Sequence, residues 1–268
     1  MIIIGEKING SIPSVAKAIE EKDEERIKYL AKAQAEAGAT YIDVCASVAD
    51  EIEVETMHWL IDLVQSVTDT PIAIDSPNAH TCIECMQYCN KPGLINSVSG
   101  EGDKMEVVFP VIADTKWEVV ALLNGNDGIP KTAADRLKVF DDIMAQAKKY
   151  GIKPNRIHID PLVEMLCTAE DGISMVEEVM TSIKEQYPTI HITGAVSNIS
   201  FNLPVRKLVN QAFVVLSMKA GMDSAVLDPL NRDMMGMIYA TEACLGMDDY
   251  CMEYIGAYRD GIFGNPAK

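Results

Sequence analysis

The chain has 268 residues and a formal net charge of −17, with 40 acidic and 23 basic side chains. This balance argues against nucleic acid as a partner, because neutralising phosphates requires Lys and Arg. No stretch approaches the roughly eighteen apolar residues of a membrane span, and the N-terminal MIIIGEKING lacks the basic segment and long apolar run of a signal peptide. We therefore expect a cytoplasmic protein that does not bind a membrane and whose cysteines are reduced.

Short apolar segments alternate with amphipathic ones along the whole chain. The amphipathic segments show the 3.6-residue periodicity of helices most clearly at residues 24–37, 51–67, 133–150, 173–186 and 205–220. Gly38, Gly151 and Gly221 each follow one of these segments and suit the left-handed position that ends a helix. The apolar segments are predicted to be strands: 2–5, 40–46, 71–75, 94–97, 119–124, 156–160, 190–196 and 225–228.

Eight strands alternating with helices predict one domain, residues 1–268, with the (β/α)8 or TIM barrel fold. The competing architecture is a doubly wound parallel sheet. Such a sheet usually has a glycine-rich turn after its first strand, with the spacing G-x-G-x-x-G. Here the corresponding segment is GEKING, which lacks that spacing.

Four apolar segments end at an acid or an amide. Asp75 ends PIAID, Asn96 ends GLIN, Asp160 ends RIHID, and Asn198 lies in ITGAVSNIS. A polar side chain at the end of a buried strand is costly without a partner, and the C-terminal ends of barrel strands are where barrel enzymes keep their active sites. We predict that the four side chains converge there. Each has a structural alternative: either Asp can cap a turn or helix, and a single buried Asn is more often structural.

Cys82, Cys85 and Cys89 have the spacing C-x2-C-x3-C, which suggests a metal or iron–sulfur site. The same spacing places three residues on one face of a helix, and a helix is expected after the third strand. Iron–sulfur ligands mostly come from loops, and no fourth Cys lies nearby. We therefore predict structural thiols and no metal. The remaining cysteines form no motif: Cys45, Cys167, Cys244 and Cys251.

The histidines form neither H-E-x-x-H nor H-x-H pairs, so the sequence does not predict zinc. His158 and His191 alternate with strand residues and are predicted to point outward, beneath the helices. The nucleophile elbow G-x-S-x-G and the phosphate loop G-x-x-x-x-G-K-[ST] do not occur in the sequence.

Seven segments, in order, carry a family resemblance: GEKING, AGATYIDV, IAIDS, LINS, GIP, HIDPL and VSNIS-x-N, between residues 5 and 206. With them the chain resembles the pterin-binding methyltransferases that exchange a methyl group between N5 of tetrahydrofolate and a corrinoid protein. The resemblance implies a TIM barrel, usually a homodimer, with tetrahydrofolate or 5-methyltetrahydrofolate as substrate. The match departs at Lys7, Ala195 and Phe201, where relatives commonly have Arg, Gly and a polar residue.

The resemblance also implies roles for individual residues. Asp75, Asn96 and Asp160 correspond to residues that hold the pterin ring, and Asn198 corresponds to the catalytic Asn that reaches N5. A corrinoid-binding D-x-H-x-x-G loop is not present, so cobalamin is expected on a partner protein. The complete predicted substrate-binding set is Asp75, Asn96, Asp160, Asn198, Ser197, Asn202 and Arg206.

Three alternatives remain open from the sequence. One is a dihydropteroate synthase-like enzyme, although GEKINGSIPS lacks the F-N-x-T-x-D-S-F-S-D-like loop expected after its first strand. Another is a pterin-binding subunit without catalytic activity. The third is an unrelated barrel lyase, which would usually show a Schiff-base Lys or a metal cluster at the strand ends.

Overall fold

Eight strands form one parallel sheet in the computed structural model, which describes residues 1–264. Their hydrogen-bonded order is β7-β6-β5-β4-β3-β2-β1-β8, and a parallel bridge between Ala195 and Val226 brings the two outermost strands together. The predicted (β/α)8 barrel is confirmed; residues 265–268 of the predicted domain 1–268 lie outside the described residues. The strands are β1 (Ile2–Asn9), β2 (Tyr41–Cys45), β3 (Ile72–Asp75), β4 (Leu94–Gly100), β5 (Glu118–Gly125), β6 (Ile157–Asp160), β7 (His191–Ile192) and β8 (Ser224–Leu227).

Helices connect successive strands and cover the outside of the barrel. All five predicted helices are present with ends shifted by a few residues. Among the helices of residues 1–264, none combines the length and the hydropathy that a bilayer crossing demands. The helices are α1 (Pro13–Glu20), α2 (Glu24–Glu36), α3 (Asp50–Gln65), α4 (Ala79–Cys85), α5 (Lys104–Ile112), α6 (Ala133–Lys149), α7 (Ser174–Gln186), α8 (Arg206–Lys219), α9 (Arg232–Cys244) and α10 (Met252–Arg259).

Local sequence signals explain where several helices begin and end. The Asp23 carboxylate accepts a backbone N–H at the start of α2, and the Thr132 hydroxyl does the same for α6. Gly38, Gly151 and Gly221 follow α2, α6 and α8 with φ values of +92°, +72° and +112°. The predicted left-handed positions are therefore confirmed, at backbone angles that residues with a Cβ rarely adopt.

Alternate residues of each strand face the barrel interior, here called the bore. Ile4, Ala73, Leu94 and Val120 form a small buried cluster from β1, β3, β4 and β5, which fills the middle of the bore. The opposite strand faces pack against the helices in a much larger apolar core. Because the bore is filled by side chains, a ligand can enter only at its ends.

A polar cluster fills the bore at the N-terminal end of the strands. The fully buried His158 ring contacts Glu118 Oε2 through Nε2 at 2.8 Å and Ser224 Oγ through Nδ1 at 3.0 Å, and Tyr41 donates to the same Glu118 oxygen at 3.0 Å. These contacts join β6 to β8 and β2 to β5, and neither pair of strands is adjacent in the sheet, so the contacts must cross the bore. The prediction that His158 points outward is therefore wrong. It is also wrong for His191, which pairs with His158 in register and stacks on its ring at 4.7 Å between centroids.

Three predicted strand ends need correction. Strand β1 continues beyond Gly5 to Asn9, because Ile8 and Asn9 pair with β2 after an irregularity in register. Strand β4 does not end at Ser97; it runs to Gly100 with a register shift after Ile95, and the Asn96–Ser97 peptide bond is cis. Strand β7 has only two residues, because the chain leaves the sheet and forms the 3-10 turn Val196–Ser200.

Candidate active site

A cavity of about 480 Å³ opens at the C-terminal end of the bore. Its size is typical of small-molecule sites. Six of the seven predicted substrate-binding residues line it, and they come from β3, β4, β6, the 3-10 turn Val196–Ser200 and the start of α8. The lining consists of Glu6, Asn9, Ser11, Ile12, Asp43, Asp75, Asn96, Val120, Asp160, Ala195, Ser197, Asn198, Phe201, Arg206 and Val226.

Asp75 ends β3 with its carboxylate facing the cavity rather than capping the next helix. Asn78 is the cap of α4, where its side chain accepts the N–H of His80 at 3.0 Å. Burial raises the pKa of Asp75 to about 6, and a hydrogen bond from the Cys45 thiol opposes this rise. A carboxylate with a raised pKa lacks strong donors, so it can accept hydrogen bonds from a ligand.

Asp160 ends β6 and is held by the turn that follows. Its Oδ1 accepts the backbone N–H of Leu162 at 2.8 Å. Burial raises the pKa of Asp160 to about 6, while the Leu162 N–H and the positive charge of Arg136 act in the opposite direction. The turn thus satisfies one carboxylate oxygen, and the carboxyl group keeps further acceptor capacity toward the cavity.

Asn96 lies in the irregular part of β4, next to an acid that was not predicted as a site residue. Its Nδ2 donates to Oδ1 of Asp43 at 3.2 Å. Asp43 is 2% exposed, and burial, followed by the charge of Asp75, raises its pKa well above the usual value. A charged residue within the apolar run YIDV was the available signal, since such a residue on a buried strand needs a specific partner.

Glu6 is the second cavity acid that was not predicted. Burial and then the charge of Asp228 raise its pKa to about 7, although Lys7 and Arg206 lower it. Lys7 forms an ion pair with Asp228, with Nζ 3.2 Å from Oδ2. The group can therefore gain or lose a proton near neutral pH. Glu6 was not predicted as a site residue because the first strand was predicted to end at Gly5.

Asn198 lies in the 3-10 turn Val196–Ser200 rather than at the end of β7. Its backbone N–H donates to the Ala195 carbonyl at 3.1 Å, and within residues 1–264 its side-chain amide has no hydrogen-bond partner. Arg206 fixes this turn: Nη2 donates to the Ser197 carbonyl at 2.7 Å and Nε to Ser200 Oγ at 2.9 Å. The Asn198 amide is therefore supported through its backbone and open to the cavity.

Asn202 is the one predicted substrate-binding residue outside the cavity lining. Its φ is +63°, and its Nδ2 lies 3.7 Å from Met165 Sδ. Phe201, just before it, lies beneath the Arg206 guanidinium, whose carbon is 4.6 Å from the ring centroid. A ligand contact by Asn202 stays a prediction.

The three cysteines of the C-x2-C-x3-C segment do not all lie on one helix. Cys82 and Cys85 are fully buried on α4, but α4 ends at Cys85, and Cys89 follows the separate 3-10 turn Met86–Tyr88. The prediction of one continuous helical face is therefore wrong for Cys89. Burial raises the pKa of all three thiols, which favours the unreactive protonated form. Residues 1–264 contain no cluster of three His, Cys, Asp or Glu side chains arranged to hold a metal ion.

Comparison with known proteins gives consistent results. The chain is 53% identical over 266 residues to the methylcorrinoid:tetrahydrofolate methyltransferase of Eubacterium limosum, with 98% of each chain covered. It is 27% identical over 251 residues to the methionine synthase of Mycobacterium leprae, a match that spans 87% of this chain and 21% of that protein.

Solved structures with a similar fold include the dihydropteroate synthase of Yersinia pestis with a pterine–sulfa conjugate, at a TM-score of 0.64 and 16% identity over 92% of this chain and 93% of that one. The dihydropteroate synthase of Xanthomonas albilineans with 7,8-dihydropteroate matches at a TM-score of 0.64 and 13% identity, with 92% of each chain covered. At these identities the likeness supports the fold alone. Residues 6–228 match the family model described as pterin binding enzyme, and the chain therefore belongs to the pterin-binding enzymes.

Proposed function

We propose that this protein is a methyltransferase that moves a methyl group between a corrinoid protein and N5 of tetrahydrofolate. The observation that carries the proposal is the 53% identity, over 98% of both chains, to a methylcorrinoid:tetrahydrofolate methyltransferase. The cavity supports it, because acids and amides that suit a pterin line a space of about 480 Å³. The dihydropteroate synthase alternative has only the fold in its favour.

Two carboxylates are proposed to hold the pterin ring. The amino-oxo-pyrimidine edge of a pterin presents adjacent N–H donors, and a carboxylate can accept two such bonds in parallel. Asp75 and Asp160 both face the cavity with pKa values of about 6, so both are largely ionised at neutral pH. Asn96 offers one donor and one acceptor for the mixed polar atoms elsewhere on the ring. Replacing Asp75 with Ala should weaken tetrahydrofolate binding by about 1.5–3 kcal/mol in a calorimetric titration.

The reaction requires a methyl group to move in line between cobalt and nitrogen. Toward tetrahydrofolate, the N5 lone pair forms the new N–C bond, the cobalt–carbon electron pair stays on cobalt, and N5 releases its proton. In the opposite direction N5 must gain a proton before it can leave. The protein contributes positioning and electrostatic stabilisation of the charge at N5.

Asn198 and Glu6 are the residues proposed to act at N5. The Asn198 amide is open to the cavity and can hydrogen-bond to N5 in either protonation state, because an amide has both a donor and an acceptor. Glu6 lines the same cavity with a pKa of about 7, which suits a group that takes up or releases the N5 proton. Neither role depends on the physiological direction of transfer.

The decisive experiment measures tetrahydrofolate binding and single-turnover methyl transfer from free methylcobalamin in parallel. Wild-type protein should bind and transfer. The Asn198→Ala variant should transfer about 10²–10³-fold more slowly, as expected for loss of one preorganised contact, while its affinity falls less. Asn198→Asp should alter the pH dependence of the rate. Equal losses of rate and affinity would make Asn198 a binding residue, and no loss in either would remove it from the reaction.

The remaining expectations concern partners and location. We propose that cobalamin arrives on a separate corrinoid protein, which must reach the open C-terminal end of the bore. A homodimer, implied by the family resemblance, is tested by measuring the molar mass in solution. Cytoplasmic location stays a prediction.

A further inference from the structure

One fully buried cation lies outside the cavity and was not identified from the sequence. Arg136 is 0% exposed and lies on the apolar face of α6. Its guanidinium donates to the Pro130 carbonyl at 3.2 Å, to the Leu162 carbonyl at 2.7 Å and to the Pro161 carbonyl, and it pairs with Glu164 Oε2 at 2.6 Å. Three of these four partners belong to the segment that directly follows β6. A buried charge is retained only where its donors are satisfied, and this one is satisfied by three backbone carbonyls and the Glu164 carboxylate.

The segment that Arg136 binds is backbone under strain. Leu162 has a φ of +67°, a left-handed conformation that residues with a Cβ rarely adopt. In this conformation the Leu162 N–H points back to Asp160 Oδ1 at 2.8 Å. The position of the carboxylate is therefore linked to two peptide units whose carbonyl groups both accept from Arg136.

We propose that Arg136 is a positioning residue for Asp160: it fixes the left-handed turn at Leu162, and the turn fixes the carboxylate in the pterin cavity. The inference rests on the proposed function, because a role in binding requires that Asp160 contact the pterin. The positive charge of Arg136 also favours the ionised form of Asp160. The other charged groups that face the cavity are Glu6, Asp43, Asp75 and Arg206.

The chain offers a matched control at the other end of the barrel. Arg156 also donates to backbone carbonyls, at 3.0 Å to Trp117, 3.1 Å to Ala113 and 2.7 Å to Ile112. These contacts join α5 to the start of β5 and do not involve the cavity. Substituting an Arg that only stabilises the fold should have the same effect as substituting Arg156. Substituting a positioning residue should change the affinity for the pterin and its pH dependence.

The test compares Arg136→Met, Arg136→Lys and Arg156→Lys with the wild type. Dissociation constants for tetrahydrofolate are measured by calorimetry across pH, and folding is checked by circular dichroism. Arg136→Met should bind about tenfold or more weakly, the effect of misplacing one charge-assisted hydrogen bond. The pH below which this variant loses its binding should be higher than in the wild type, because without the nearby cation the pKa of Asp160 rises. Arg136→Lys keeps the charge but not the planar fork, so it should bind weakly with a smaller shift.

Arg156→Lys should leave both the affinity and the pH profile unchanged. A folded Arg136→Met variant with wild-type affinity and profile would overturn the inference. If Arg136→Met does not fold, unchanged affinity in Arg136→Lys would do the same, and so would equal losses in Arg136→Lys and Arg156→Lys. Wild-type protein that neither binds tetrahydrofolate nor transfers methyl would instead overturn the proposed function.

Discussion

Replacing Asp160 with Asn should stabilise the empty protein and weaken its binding of the pterin, and the stabilisation should depend on pH. The substitution preserves shape, and the Asn Oδ1 can still accept the Leu162 N–H that now bonds to the carboxylate at 2.8 Å. The other oxygen becomes an amide nitrogen, which is a donor. A pterin N–H would then meet a donor where it now meets an acceptor.

The magnitude follows from the pKa of Asp160, which burial raises from 3.8 to about 6. A difference of about 2 pKa units corresponds to at most about 3 kcal/mol at a pH above both values, and we expect about 1–2 kcal/mol because the cavity admits water. The pKa of Asp160 is higher in the folded protein than in the unfolded chain. The stability that the protonated acid contributes is therefore fully present below pH 3.8 and is lost as the pH rises through about 6. Asn does not ionise, so its advantage develops over that same window.

The assay is thermal unfolding of wild type and Asp160→Asn, without ligand, at about pH 4 and about pH 8. At the higher pH the variant should unfold about 2–8 °C above the wild type, since 1 kcal/mol corresponds to about 2–4 °C for a chain of this size. Near pH 4 the two should nearly coincide. Calorimetric titration at the higher pH should show tetrahydrofolate binding at least about 1.5 kcal/mol weaker.

Two results would refute this reasoning. A variant that is less stable than the wild type at the higher pH would mean that the carboxylate is already stabilised in the empty protein. A stability gain that is equal at both pH values would mean that ionisation of Asp160 is not its cause. Unchanged pterin affinity would separately remove Asp160 from the binding site.

Further predictions concern other parts of the molecule. Glu6→Gln should remove the limb near pH 7 from the pH dependence of single-turnover methyl transfer, because the pKa of Glu6 is about 7; an unaltered profile would exclude it as the titrating group. Changing Cys82, Cys85 and Cys89 together to Ala should leave activity intact with some loss of stability, and stoichiometric iron or zinc that disappears with the change would contradict this. The protein should give no shift of DNA or RNA in gels at physiological salt, because its net charge is −17.

Much of the barrel could be predicted from the sequence, because strands buried on both faces have continuous apolar runs and the helices between them have one apolar face. The same pattern located Asp75 and Asp160, which do end β3 and β6. It could not reveal that β4 continues past Asn96, since that depends on pairing with β5 after a register shift. It also could not show that Asn198 lies in a 3-10 turn, since the length of β7 depends on its neighbours.

Two of the residues that were missed, Asp43 and Glu6, share a physical cause. Asp43 lies inside a strand rather than at its end, and Glu6 lies in the part of β1 beyond its predicted end. Their importance depends on which side chains face the bore, and that requires the register of adjacent strands. Arg136 was missed because a single basic residue in an amphipathic helix usually faces solvent. The structure shows that it lies within the buried face of α6.

The shortness of β7 means that the barrel wall is not equally stiff around its circumference. Asp75 and Asn96, two of the residues proposed to hold the ring, are paired directly between β3 and β4. At the junction of β7 and β8, the wall is joined by the Ala195–Val226 bridge and a few backbone hydrogen bonds. Segments with few such bonds open at lower free energy. Asn198, which we propose to act at N5, therefore lies beside the less connected part of the wall, whereas Asp75 and Asn96 lie where two strands pair directly.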